Sequence, residues 1–262
     1  MSMDARETLT SIYRTVQDRD ITFLAAGFAY YAFVSLIPLV LLALVVGSLL
    51  GGEALAARIV EAAGDFMPAA GDELLTDALT TEAGRAEATV VALAVAAWGG
   101  LKVFRGLSQA FDTVYDKVEE DSLLEQVKQG LAVIAVIALA LTLMIVMGVV
   151  LGFLAGEIPF VGLLSWVVLI GGLFVVFVPL YYLLPPIPVS LREIIPGAAF
   201  AAVGWTVLQV GFQLYAANAA QFESYGVLGA VLLFVTWLYF AGILILLGAV
   251  INVVLSRPEL AE

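Results

Sequence analysis

ITFLAAGFAYYAFVSLIPLVLLALVVGSLL, residues 21–50, is the stretch whose reading decides the fold. It carries no charged side chain, and at thirty residues it exceeds the roughly twenty that a helix needs to cross the hydrocarbon core of a bilayer. A soluble domain would have to bury such a segment on every side, so the economical reading is a transmembrane helix. It is more than a plain anchor. Tyr30, Tyr31 and Ser35 place hydroxyls inside it, Pro38 removes a backbone donor near its middle, and Ala25, Ala26, Gly27, Ala29 and Ala32 allow another helix to approach closely.

Composition extends this reading to the whole chain. Of 262 residues, 63% are hydrophobic, well above the roughly 45–50% of soluble domains, which places the chain among polytopic membrane proteins. Histidine and cysteine are absent. That removes disulfides, thiolate metal sites, thiol nucleophiles and imidazole acid–base chemistry, and no cofactor or metal is expected. The net charge of −12, with eight Arg and three Lys, argues against a nucleic-acid surface. An acid-rich, lysine-poor surface suits a salty medium, so a halophilic, archaeal source is expected. The first apolar run is too long for a signal peptide's hydrophobic region and lacks a cleavage site.

Along the chain, residues 1–20 set Leu9, Ile12, Tyr13 and Val16 on one face of a short helix, with Arg6, Arg14 and Arg19 beside it. That helix either lies on the membrane surface or packs on neighbouring loops. Residues 51–88 carry eight acids against Arg58 and Arg85 and read as an extracytoplasmic acidic cap of short amphipathic helices. The second span, 89–104, is short: its apolar part stops at Lys102 and Arg105, which crosses only if those cations snorkel to the headgroups or line a protein-walled cavity. An amphipathic stretch follows it. Further spans are expected at 131–154, 161–184, 194–217 and 225–255, the last as long and as charge-free as the first. Pro185, Pro186 and Pro188 stop the fourth, and Ser190-x-x-Glu193 reads as a capping box opening the fifth.

The expected fold class is therefore an all-α, six-helix membrane protein forming a single domain over 1–262. An N-terminus inside puts nine Lys and Arg on the cytoplasmic side and two outside. By the positive-inside rule both ends face the cytoplasm, in the plasma membrane.

Three stretches occur together: AAGFAYYAFVSLIPLV (25–40), FRGLSQAFDTVY (104–115) and the sixth span. Between them come Pro185-Pro186, Glu193 and Pro196-Gly197-Ala198. In this order the chain resembles the YihY/BrkB family of inner-membrane proteins over nearly its whole length. The resemblance implies a six-helix integral membrane fold. It brings no catalytic residues, and the ribonuclease BN label borne by many members conflicts with a chain lacking histidine, since zinc-dependent nucleases need a histidine-rich cluster. Two positions depart from the family pattern: Val250 replaces a Glu in Gly248-Ala249-Val250-Ile251-Asn252, and Asp112 replaces an Asn.

No Asp or Glu lies inside any expected span, which weakens a proton-coupled pump. Candidate cavity-lining residues are Tyr31, Ser35 and Pro38 on the first span and Gln209 and Gln213, one turn apart, on the fifth. Two amides in hydrocarbon need a partner or water, and bonding between helices satisfies them as well as a ligand does. Lys102, Arg105 and Asn252 could meet at one depth and contact an anionic headgroup. The expected function is translocation of a lipid or other amphiphile. The alternative is a non-transporting scaffold for envelope-associated partners, and an enzyme is not expected. Membrane lipids are the expected partners, with a homo-oligomer or another membrane protein left open.

Overall fold

The computed structural model describes residues 4–35, 85–117, 161–218 and 226–260, with a few positions between 128 and 135. Pro38, the later half of the first expected span, nearly all of the acidic cap and most of the third span lie outside the described residues. Those described are helical throughout, joined by short turns. In chain order the helices are α1 (Ala5–Asp18), α2 (Ile21–Ser35), α3 (Arg85–Val114), α4 (Val161–Leu183), α5 (Leu191–Asn218) and α6 (Gly226–Ser256), followed by a 3-10 turn at Pro258–Leu260. Three of them contain segments long and apolar enough to cross a membrane: Leu164–Leu183, Leu191–Tyr215 and Val231–Ser256.

The ends of these helices follow from local chemistry. Asp4 opens α1, its backbone N–H donating to Glu7 Oε2 at 3.2 Å. Asp20, in the left-handed region (φ 49°), turns the chain between α1 and α2 and accepts the Phe23 and Leu24 amides. Asp116 (φ 53°) does the corresponding work after α3, where an Asp side chain tolerates a conformation that most residues avoid. At the start of α5 the expected capping box takes a different form. Ser190 Oγ donates to Glu193 Oε1 at 3.0 Å instead of capping a backbone amide. The physical reason is Arg257, which holds the other carboxylate oxygen from the end of α6.

The second apolar run continues directly into the amphipathic stretch that follows it. α3 is one continuous helix of 30 residues that passes through Gly99, Gly100, Lys102 and Arg105. It contains no proline, and interior glycines cost only about 1 kcal/mol each. In α1 the four apolar residues do not share one environment. The buried face centres on Thr15, whose hydroxyl donates to the Ser11 carbonyl at 2.9 Å, with Ile12 and Val16 half-buried beside it. Leu9 and Tyr13 point outward, 68% and 66% exposed.

The chain divides into two compact units. One comprises Met1–Ala26, Leu107–Ala217 and Phe240–Glu262, the other Gly27–Gly106 and Asn218–Tyr239. The core of the first unit is Phe111, Val114, Tyr181, Ile194, Leu246 and Val250, with small Ala198, Ala201 and Ala202 where α5 lies against its neighbours. In the second, the Ser35 hydroxyl donates to the Gly99 carbonyl at 2.9 Å, joining α2 to α3. Phe234 sits between Phe33 (6.5 Å) and Trp237 (6.0 Å).

At one end of the first unit, Arg19 gathers three chain segments. Its Nη1 donates to the Thr113 and Val114 carbonyls at 2.8 and 2.6 Å, and its Nη2 to the Leu260 carbonyl. A cation on the last carbonyls of α3 also opposes the negative end of the helix dipole. Arg19→Ala should lower stability by about 2 kcal/mol or more, given charged donors on part-buried carbonyls. Arg19→Lys should recover only part of it, because one ammonium cannot span both sets of acceptors. Unfolding midpoints of the purified protein in detergent measure both.

Candidate functional site

The densest polar chemistry in the first unit lies where α4, α5 and α6 meet. Pro196, inside α5, brings no N–H of its own, and the next residue has no side chain. The Gly197 amide donates to Asn252 Oδ1 at 2.7 Å, a buried bond between α5 and α6. A Cβ at Gly197 would collide with the Gly248 carbonyl and lie 2.5–2.6 Å from the Asn252 amide atoms. Gly248 is equally constrained. A Cβ there would strike the Tyr181 hydroxyl and stand 2.9 Å from the Gly197 carbonyl. Tyr181 itself is fully buried and donates to the Ile245 carbonyl at 2.8 Å, with Phe111 and Phe177 rings 5.9 and 6.3 Å away. Two glycines therefore let two backbones touch, and an asparagine and a tyrosine fasten the contact.

Around the end of this contact runs a polar rim. Arg257 Nε and Nη2 both reach Glu193 Oε2 at 3.2 Å, and Nη2 also donates to the Pro188 carbonyl at 2.9 Å. Lys117 Nζ reaches the Pro186 carbonyl at 3.3 Å. Thus the segment that the three prolines force out of helical geometry has two of its carbonyls satisfied by cations from α6 and from the end of α3. Tyr115 is buried beside this rim and stacks on Phe111. Burial, reinforced by the Glu193 carboxylate and opposed by Arg257, pushes its phenol far above the ordinary range, so it stays protonated.

The candidate residues fall in several places. Asn252 is 2% exposed and belongs to the α5–α6 contact, where its Nδ2 has no hydrogen-bond partner among the described residues. Lys102 is exposed on α3, its Nζ 5.5 Å from the centre of the Trp98 ring, and Arg105 is half-buried one turn further on. Ser35 is buried against Gly99. Tyr31 is partly exposed and packs where Gly106 has no side chain: a Cβ there would stand 3.1 Å from the Tyr31 ring. These four lie in the second unit, and Asn252 in the first.

Gln209 and Gln213 are both exposed, on the apolar segment Leu191–Tyr215. They follow Thr206 by three and seven residues, which returns each to the face that buries Ala198, Ala202 and Thr206. The packing face of α5 thus continues as an uncovered strip bearing two amides. Among the described residues no group of His, Cys, Asp or Glu side chains could hold a metal ion. The pairing of Gly197 with Asn252 was missed in the sequence; its signal was two glycine-bearing patterns, each one residue past or four residues before a polar or helix-disturbing group.

Long apolar helices fastened to one another by buried backbone contacts and closed at one end by cations define an α-helical membrane protein. A family profile described as Virulence factor BrkB matches residues 12–262, and the chain belongs to that family. A ribonuclease-like protein of Bacillus subtilis, YfkH, is 32% identical over 181 residues, 65% of each chain. A UPF0761 membrane protein of Pseudoalteromonas translucida is 37% identical over 87 residues, 33% of this chain and 29% of that one. Another from Nitrosospira multiformis is 32% identical over 83 residues, 31% and 20% of the two chains. Each match spans less than two thirds of the relative's length. All three relatives are bacterial and lend no support to an archaeal source. No solved structure matches the chain.

Gly248→Ala should destabilise the protein by about 1–3 kcal/mol through overpacking. Adding Tyr181→Phe should recover only part of that, since the Gly197 carbonyl still crowds the new methyl; a double-mutant cycle of unfolding midpoints reads the coupling. Tyr115 predicts an alkaline limit. Its folded pKa is raised, so its contribution is intact below the unfolded phenol's value of about 10 and is lost as pH rises above it. Tyr115→Phe should shift the onset of alkaline unfolding upward, as followed by circular dichroism.

Proposed function

We propose that this chain is a multi-pass plasma-membrane protein that moves a lipid or other amphiphile between leaflets, with six crossings and both ends cytoplasmic. One observation carries the reading. Gln209 and Gln213 stand uncovered within an apolar segment, on the very face that α5 otherwise uses for packing. Amides in hydrocarbon need partners. Gln209 lies about 6 Å from Gln213 along α5 at ~1.5 Å per residue, so the two amides form successive rungs. A polar head with an apolar tail can follow such a ladder while its chains stay in lipid. The Arg19–Leu260 contact supports an even number of crossings, because the residue before α2 and the turn after α6 meet at one end of the first unit.

The name of the Bacillus relative raises a nuclease. A chain with no histidine or cysteine and a net charge of −12 suits neither a zinc-dependent nuclease nor an RNA-binding surface, and we read it as a non-enzyme. The acid excess we read as adaptation to high salt.

Reconstituted in vesicles, the protein should speed dithionite-accessible exchange of a fluorescent phospholipid. Replacing the amides together, Gln209→Leu with Gln213→Leu, should reduce that rate tenfold or more while leaving the unfolding midpoint unchanged or higher. An undiminished rate in the double variant refutes the amide strip as the path.

A further inference from the structure

We propose that α1 is an interfacial helix lying on the bilayer surface, with Leu9 and Tyr13 at the boundary between headgroups and acyl chains and with Arg6 and Arg14 on lipid phosphates. This goes beyond lipid movement and requires only that the chain resides in a membrane.

The first observation is level, and the residues that fix it all belong to the first unit. Each of the three segments able to cross a membrane has one end at the polar rim: Leu183 just before the prolines, Leu191 between Pro188 and Glu193, and Ser256 beside Arg257. The rim therefore marks where these helices leave the hydrocarbon. Arg19 donates to the Leu260 carbonyl, just past Ser256, so the end of α1 is held at that same level. Phe23, in the first turn of α2 and 77% exposed, adds an outward aromatic ring immediately beyond the turn at Asp20. Aromatic rings gather at this boundary in membrane proteins.

The second observation is how α1 divides its surface. Thr15 is buried and Thr8, Ser11 and Ile12 beside it are half-buried, so the helix lies along the protein instead of projecting from it. At about 100° per residue, the exposed Leu9 and Tyr13 lie about 120–160° round from Thr15 in one direction. The exposed carboxylates Glu7 and Asp18 lie about 60–80° round in the other. The helix thus has three sides: one against the protein, one apolar and one acidic. In water alone, gathering the outward apolar residues on one side gains nothing; at the edge of a bilayer each side meets its own medium. Arg6 follows directly beyond Tyr13, and Arg14 stands on the flank towards Glu7. Among the described residues neither guanidinium has a hydrogen bond or an ion pair, whereas Arg19 and Arg257 are spent on carbonyls and Glu193. A guanidinium presents paired donors that match a phosphate, and its long stem lets the head reach the headgroup layer. A protein partner would have to displace the lipid headgroups that surround the bundle at this level, so lipid is the occupant.

The chain has no cysteine, so single nitroxide labels can be introduced without further changes. In the full chain reconstituted in phospholipid vesicles, labels are attached through Leu9→Cys, Tyr13→Cys, Glu7→Cys or Asp18→Cys. Collision rates with oxygen, which concentrates in hydrocarbon, and with a water-soluble nickel chelate are then compared. The oxygen-to-nickel ratio should be about fivefold higher or more at positions 9 and 13 than at 7 and 18. Equal ratios at all four positions, or the reverse order, overturn the proposal. Protection of 9 and 13 from both reagents also overturns it, in favour of a protein partner or a second copy of the chain. Replacing Arg6→Gln with Arg14→Gln should lower the ratio at position 13 about threefold, and Arg6→Lys with Arg14→Lys should largely preserve it. An unchanged ratio in the glutamine pair overturns the phosphate contacts. These ratios are read whether or not the protein moves phospholipid, so this proposal and the transport reading fail separately.

Discussion

The contact between Gly197 and Gly248 sets what the neighbouring residues can be. Helices in lipid gain little from burying one apolar surface against another, because acyl chains are as apolar as leucine, so close backbone approach and buried hydrogen bonds do the holding. Here α5 and α6 come near enough that neither position admits a methyl group, and the Gly197 amide is claimed by Asn252 from the facing helix. Tyr181 then fills the space above Gly248 and bonds the Ile245 carbonyl. Alanines at 198, 201 and 202 keep the same close spacing along α5. A larger residue at any of these positions would force the helices apart and strand the amide of Asn252.

Polar groups divide into two sets on this basis. Those at the end of the first unit are spent on one another. Arg257 holds Glu193 and Pro188, Lys117 reaches Pro186, and Arg19 covers the end of α3. The prolines at 185, 186 and 188 create bare carbonyls, and the nearby cations answer them, so this rim reads as architecture. Gln209 and Gln213 differ, since each is exposed on a long helix with apolar surface around it. Unspent polarity in such surroundings is where a ligand would be felt, and it is why the functional reading rests on these two residues and not on the crowded rim.

How much was legible in the sequence depended on range. Helices α4 and α6 were readable because length, absence of charge and flanking prolines are local properties. The second apolar run was readable as passing into the amphipathic stretch after it, and α3 joins them because nothing in Gly99, Gly100 and Lys102 prevents helical geometry. Ser190 and Glu193 were rightly seen as the opening of α5, but Arg257, 64 residues away, decides how the pair bonds. Asn252 was recognised as a polar group needing a partner, and that partner proved to be a backbone amide, a group with no signature of its own in a sequence. Tyr31 and Ser35 share a helix face as their spacing indicates, and glycines on α3 receive them both, Gly106 and Gly99.

The Arg19 cluster has a consequence for assembly order. Its guanidinium lies just ahead of the first long helix, yet one of its acceptors, the Leu260 carbonyl, is 241 residues further along the chain. During synthesis Arg19 therefore waits through the production of α2 to α6 before its set of bonds can close. Until then the end of α3 has only part of its cap and the N-terminal helix has a looser hold on the body. The turn at Pro258–Leu260 thus acts as a clasp that secures the segment after α1 only once α6 has been made.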